Sequence, residues 1–137
     1  PQIEKFAAAE DGPDLAVSLF DLVKTFEQVL ERAKTRPQYE VSKEEVSVPD
    51  MILFMINVLK AAPKGESVPL VQLFERQKSR RAMICLFLAL LEMVKQQALK
   101  LTQKESFGEI HAKRDTGFDA FMSNDDQVAR IENDYKN

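Results

Sequence analysis

The 137-residue chain has one histidine, one cysteine and four glycines, and each shortage removes a class of function. A lone cysteine, Cys85, cannot close a disulfide within the chain and fits a reducing compartment. With His111 as the sole imidazole, a histidine-rich metal site is out of reach. Gly12, Gly65, Gly108 and Gly117 lie far apart, and none belongs to a Gly-Lys-Ser/Thr sequence that would cradle a phosphate. No apolar run reaches the roughly 20 residues needed to cross a bilayer. Pro1 to Ala9 lacks the apolar core of a signal peptide. The expectation is a small, soluble, intracellular, non-catalytic protein with no metal and no cofactor. Cys85 sits among apolar neighbours and reads as a small core residue rather than a nucleophile. The pairs Glu44-Glu45 and Asp125-Asp126 read as solvated charges, and Met51, Met55, Met83 and Met93 as fillers of core gaps.

What the sequence does have is one helix that is apolar nearly all round. From Ala82 to Val94 only Glu92 interrupts the run, with Arg80 and Arg81 before it and Lys95 after it. Such a helix must be covered on every side. A small domain covers all faces of its own helix with difficulty, which points to a partner surface. Charge is uneven as well: residues 1–63 sum to −4, residues 64–114 to +5 and residues 115–137 to −4. The basic middle keeps nucleic acid among the partner classes, beside the plainer reading of an ordinary solvated surface.

An acidic stretch punctuated by Gly12-Pro13 reads as a linker over 1–14. Ser18 with Asp21 then predicts a helix start. Leu19, Leu22, Val23, Phe26, Val29, Leu30 and Ala33 recur at helical spacing, and Lys34, Arg36 and Pro37 close the element. An isolated amphipathic helix is unstable in water, so this stripe docks either onto the chain's own second half or onto another protein. Tyr39, Val41, Val46 and Val48 suggest an extended connection. Ser47, Pro49 and Asp50 start a second helix, which Pro63 and Gly65 end. Leu70 to Phe74 reads as a short helix, Gln77-Lys78-Ser79 as a turn into the apolar helix, and Ala98 to Thr102 and Glu109 to Ala112 as two strands joined by a turn over 104–108.

Helix, short strand, short helix, turn, long helix and two-stranded wing is the order of a winged helix-turn-helix domain. The predicted fold class is mainly α with a small β wing: an amphipathic helix plus a C-terminal winged helix-turn-helix domain. Leu70-Val71-Gln72-Leu73-Phe74, Phe87-Leu88-Ala89-Leu90-Leu91-Glu92 and Phe107-Gly108-Glu109-Ile110 together resemble the C-terminal part of segregation and condensation protein A, the bacterial kleisin family. Val17-Ser18-Leu19-Phe20-Asp21-Leu22 and Phe26-Glu27-Gln28-Val29-Leu30 resemble that family's middle segment, and Val46-Ser47-Val48 with Met51 its entry into the winged helix. The resemblance covers about Leu15 to His111 and divides the chain into a linker (1–14), a middle-segment helix with its connection (15–45), a winged-helix domain (46–112) and an acidic tail (113–137).

The resemblance implies an adaptor in chromosome condensation and segregation, cytoplasmic and nucleoid-associated, that bridges the ATPase heads of a structural-maintenance-of-chromosomes complex. It implies head binding through the winged helix, placed here on Ile84, Phe87, Leu91, Leu99 and Leu101. It also implies binding of a dimer of segregation and condensation protein B, placed on Leu19, Leu22, Val23, Phe26, Val29 and Leu30. DNA contact is expected only indirectly or weakly. The rival is a DNA-binding winged-helix transcriptional regulator, whose second helix would carry polar side chains to base edges. Between Ala82 and Leu91 there are none, and burying Ile84, Phe87, Leu88 and Leu91 against a charged groove would forfeit about 1.5–3 kcal/mol each. A dimerising structural domain is a third class that the residues leave open.

Overall fold

The computed structural model describes residues 15–36 and 45–124. The predicted linker over 1–14, the extended connection at Tyr39 and Val41, and residues 125–137 of the predicted tail lie outside the described residues. The element order is β1 (Leu15–Ala16), α1 (Leu19–Ala33), α2 (Val48–Ala61), β2 (Val68–Pro69), α3 (Leu70–Glu75), α4 (Arg80–Lys95), β3 (Leu99–Gln103), β4 (Ile110–Arg114) and α5 (Phe118–Ser123). It is a mainly helical fold with a small antiparallel wing, as the hydrophobic periodicity predicts.

Local chemistry accounts for where the helices begin. The Ser18 hydroxyl accepts from the Asp21 N–H at 3.1 Å, satisfying one of the first free donors of α1. At α2 the box is reciprocal: the Ser47 hydroxyl accepts from Asp50 N–H, and the Asp50 carboxylate accepts from Ser47 N–H at 2.9 Å. Ser79 caps α4 through the Ala82 N–H. The C-terminal carbonyls of α2 are closed from far away. Arg114, on β4, donates to the carbonyls of Leu59, Lys60 and Ala62 at 2.9, 3.3 and 3.1 Å. A cation there also suits the negative end of the helix dipole.

The sheet has the order β1-β3-β4-β2, all antiparallel, with Leu101 opposite Ala112 and Leu15 opposite Gln103. Period-two alternation puts Leu99, Leu101, Ile110 and Ala112 into the core. The wing turn is tight: Gly108 N–H donates to Glu105 O at 2.9 Å, and a Cβ on Gly108 would meet that same carbonyl oxygen at 2.9 Å. Phe107 just before it takes a left-handed φ of 62° with its ring 87% exposed.

One continuous core joins every helix. Leu22, Ile52, Leu59, Leu73, Phe74, Leu86, Leu90 and Met93 are buried together with the wing residues. The helix α1 is part of it. Leu22 and Val29 are buried, and Phe26 stacks on Phe87 with ring centroids 4.4 Å apart and lies 5.4 Å from Phe74. Just past the helix, Arg36 donates to Glu75 O at 2.7 Å and Gln77 O at 3.0 Å, gripping the α3–α4 turn. Of the two docking alternatives for the α1 stripe, the structure takes the intramolecular one. A further difference from the sequence reading lies past residue 112. Strand β4 runs on to Arg114, and α5 follows, with Phe118 and Phe121 buried, within the stretch read as an acidic tail.

Candidate functional site

In a helix-turn-helix the second helix offers its outward face to whatever is recognised. Here that helix is α4, and three sides of it are occupied. Ala82, Met83, Cys85, Leu86, Ala89, Leu90, Met93 and Val94 are buried against α2, β3 and α1. The need for cover that the all-round apolar run predicts is thus met largely inside the chain. What stays accessible is a stripe at helical spacing, Arg80, Ile84, Leu88, Leu91 and Lys95, with Arg81 beside it. Arg80, Arg81 and Lys95 are exposed, whereas Ile84, Leu88 and Leu91 are half-buried. Ile84 lines a shallow depression of about 370 Å³ with Arg80, Arg81 and Cys85.

Contacts behind this depression hold it in shape. Arg81 Nε donates to Val46 O at 2.6 Å, and the Cys85 thiol points at the same carbonyl at 3.6 Å. Burial pushes the Cys85 thiol above its ordinary pKa, with the Arg81 charge opposing and Asp50 assisting. It is therefore a protonated, space-filling group at neutral pH.

The residues expected to meet a partner separate by burial. Ile84 and Leu91 lie on the accessible stripe. Phe87 is half-buried with one face against Phe26. Leu99 and Leu101 are fully buried, so they hold the wing in place from beneath and present no atoms outward. On α1, Leu22 and Val29 are buried at 0% and 2% exposure, and Phe26 and Leu30 pack against the same core. No partner reaches Leu22 or Val29 unless α1 leaves its seat. The side chains that α1 does offer are Leu19 at 41% and Phe20 at 65% exposure, with Val23 half-buried. Phe20 lies under the Lys24 ammonium, 5.7 Å from its ring centroid. Periodicity had set Phe20 aside because it falls off the buried stripe; for a contact surface that is the informative position.

Among the described residues no group of three or more His, Cys, Asp or Glu is placed to hold a metal ion, and no helix is long and apolar enough to cross a membrane. His111 accepts from or donates to the Ser67 hydroxyl through Nδ1 at 3.2 Å and meets Glu109 through Nε2 at 3.3 Å. The arrangement suits docking by an apolar stripe with a cationic rim. Apolar anchors ringed by polar side chains are the usual anatomy of a protein interface.

The family model described as "Segregation and condensation protein ScpA" matches residues 3–113. Segregation and condensation protein A of Bacillus velezensis is 33% identical over 100 residues, covering 71% of this chain and 38% of that protein. The protein of the same name from Myxococcus xanthus is 37% identical over 95 residues, 68% of this chain and 32% of its own length. That of Brevibacillus brevis is 28% identical over 109 residues, 79% and 42%. The chain therefore spans less than half the length of these relatives. No solved structure matches it.

Proposed function

The chain belongs to the segregation and condensation protein A family, and on that premise we propose that it serves as the middle and C-terminal portion of a non-catalytic kleisin in chromosome condensation and segregation. In this reading it works in the cytoplasm on the nucleoid. Its winged helix docks on the ATPase head of a structural-maintenance-of-chromosomes protein, and hydrolysis belongs to that partner.

The observation that carries the proposal is the accessible stripe of α4. A recognition helix that shows Ile84, Leu88 and Leu91 outward, between Arg80, Arg81 and Lys95, fits an apolar protein surface with an acidic border. A base edge in the major groove offers these side chains little beyond thymine methyl groups. The regulator reading therefore lacks its main device. For segregation and condensation protein B, the site is the outward rim of α1, Leu19, Phe20 and Val23, since Leu22 and Val29 are buried in the core.

The test is capture of a purified ATPase head by this chain and its variants. Leu91→Arg and Ile84→Glu should each abolish capture while circular dichroism keeps its native shape; Leu91 also packs against the core, so its variant should melt somewhat lower than wild type yet stay folded. Phe20→Asp should keep head capture and lose the companion dimer. Full head binding by a folded Leu91→Arg, Ile84→Glu double variant would refute the assignment of this face.

A further inference from the structure

Two phenylalanine rings stand outside the core and share one surface. Phe20, in the first turn of α1, is 65% exposed, and Phe107, in the wing turn, is 87% exposed. Lys24 connects them. Its ammonium lies 5.7 Å from the Phe20 ring centroid, and with Asp21 and Gln28 it lines a hollow of about 100 Å³ whose far wall is Gln103, Phe107 and Gly108. Together the two rings present on the order of 300 Å² of apolar surface. That is the size of the functional patches found on monomers.

The backbone holds Phe107 outward at a cost. Its φ of 62° lies in the left-handed region, where a bulky side chain is crowded. The turn fixes it there, because the buried Gln103 donates through Nε2 to the Gly108 carbonyl at 3.0 Å. The ring takes no part in the core that would offset this strain. A contact outside the chain accounts for both the strain and the exposure. Charge narrows the choice of partner. The α4 stripe is bordered by Arg80, Arg81 and Lys95, whereas around the two rings the carboxylates of Asp21, Glu27 and Glu105 outnumber the ammonium groups of Lys24 and Lys104. One partner surface does not complement both borders. The same carboxylates repel a phosphate backbone, so the rings suit a protein rather than a nucleic acid.

We propose that Phe20 and Phe107 form one composite anchor for segregation and condensation protein B, which reads α1 and the wing turn together. The proposal rests on the assignment of the outward rim of α1 to that partner and adds the wing as the second half of the site. Phe107 continues the rim of Leu19 and Phe20 across the hollow at Lys24. Aromatic rings suit the task, since they bring a large rigid contact area with few rotatable bonds to freeze. A partner gripping both rings needs α1 seated on the domain, because a detached helix presents Phe20 alone.

Calorimetric titration of the chain with the purified companion dimer tests this. Phe107→Gly should weaken binding about thirtyfold, as the loss of one aromatic hot spot does. The variant should melt no lower than wild type, because glycine takes a φ of 62° without steric cost, and it should capture the ATPase head normally. Leu53→Ser, which removes a half-exposed apolar side chain from α2, should leave the dimer bound at wild-type strength. If Phe20→Asp loses the dimer and Phe107→Gly keeps it, the wing contact is overturned while the assignment of α1 stands. If both variants bind as wild type does, or the wild-type chain itself does not bind the dimer, both fall. Loss of head capture by Phe107→Gly with the dimer retained gives the ring to the other partner and likewise overturns the proposal.

Discussion

Replacing Phe26 with alanine asks whether α1 is a wall of the domain or a separate arm. The ring stacks on Phe87 at 4.4 Å with the planes 20° apart and meets Phe74 at 5.4 Å. A fully buried Phe→Ala change costs about 3–5 kcal/mol. Phe26 is half-buried, which brings the burial loss to about 2 kcal/mol, and the aromatic pairing adds about 0.5–1.5 kcal/mol. The expected total is about 3 kcal/mol, a large share of the stability of a domain this size. At about 4–8 °C per kcal/mol, the melting temperature should fall by about 12 °C or more. Urea unfolding followed by far-ultraviolet circular dichroism gives the measurement, and the transition should stay single. Phe20→Ala, six residues earlier and 65% exposed, is the control and should change stability by less than about 0.5 kcal/mol. A Phe26→Ala variant that unfolds at the wild-type urea midpoint would show that α1 is undocked in solution, and the seat derived for Arg36 would fall with it.

Two further outcomes follow from named contacts. Arg114→Ala should cost about 2 kcal/mol by uncapping α2, and Arg114→Lys should recover little of it because one ammonium cannot reach three carbonyls; differential scanning calorimetry of both variants decides this. Cys85 should react with iodoacetamide far more slowly in the native chain than in urea across pH 7–9, because its raised pKa keeps the thiolate scarce and burial blocks approach; equal rates in the two states would contradict the burial.

Much of this fold is legible in the sequence, and the exceptions have physical reasons. Capping residues announce themselves locally, so Ser18 and Ser47 mark their helices correctly, and Ser79, read as the end of a turn, proves to cap α4. Periodicity shows which face of a helix is apolar, not what covers it. That is why α4 pointed to an outside partner when α1, α2 and β3 cover most of it. The two residues of β1 are too few for any alternation to register, and only their pairing with Gln103 and Thr102 defines them. Helix α5 did carry a signal, since Phe118 and Phe121 stand three apart after Gly117, but it lay within an acidic stretch that reads as a tail. The grips of Arg36 and Arg114 span 39 and 55 residues, and nothing local foretells them. As for the proposed docking face, the sequence set Ile84, Phe87 and Leu91 beside Leu99 and Leu101, and only the packing shows that the last two are fully buried while Ile84 and Leu91 stay partly accessible.

The order in which the chain enters the domain has a mechanical consequence. A pull arriving from residues before 15 meets first the two-residue pairing of β1 with Gln103 and Thr102. Behind it stands α1, held by its stacked rings and by the Arg36 clamp on the α3–α4 turn. A ladder that short opens at low cost, whereas dislodging α1 means breaking into the shared core. Load on a strap joining this domain to the rest of a longer chain would therefore be taken up by a sacrificial link that peels and re-forms. The surface of α4 would keep its shape throughout.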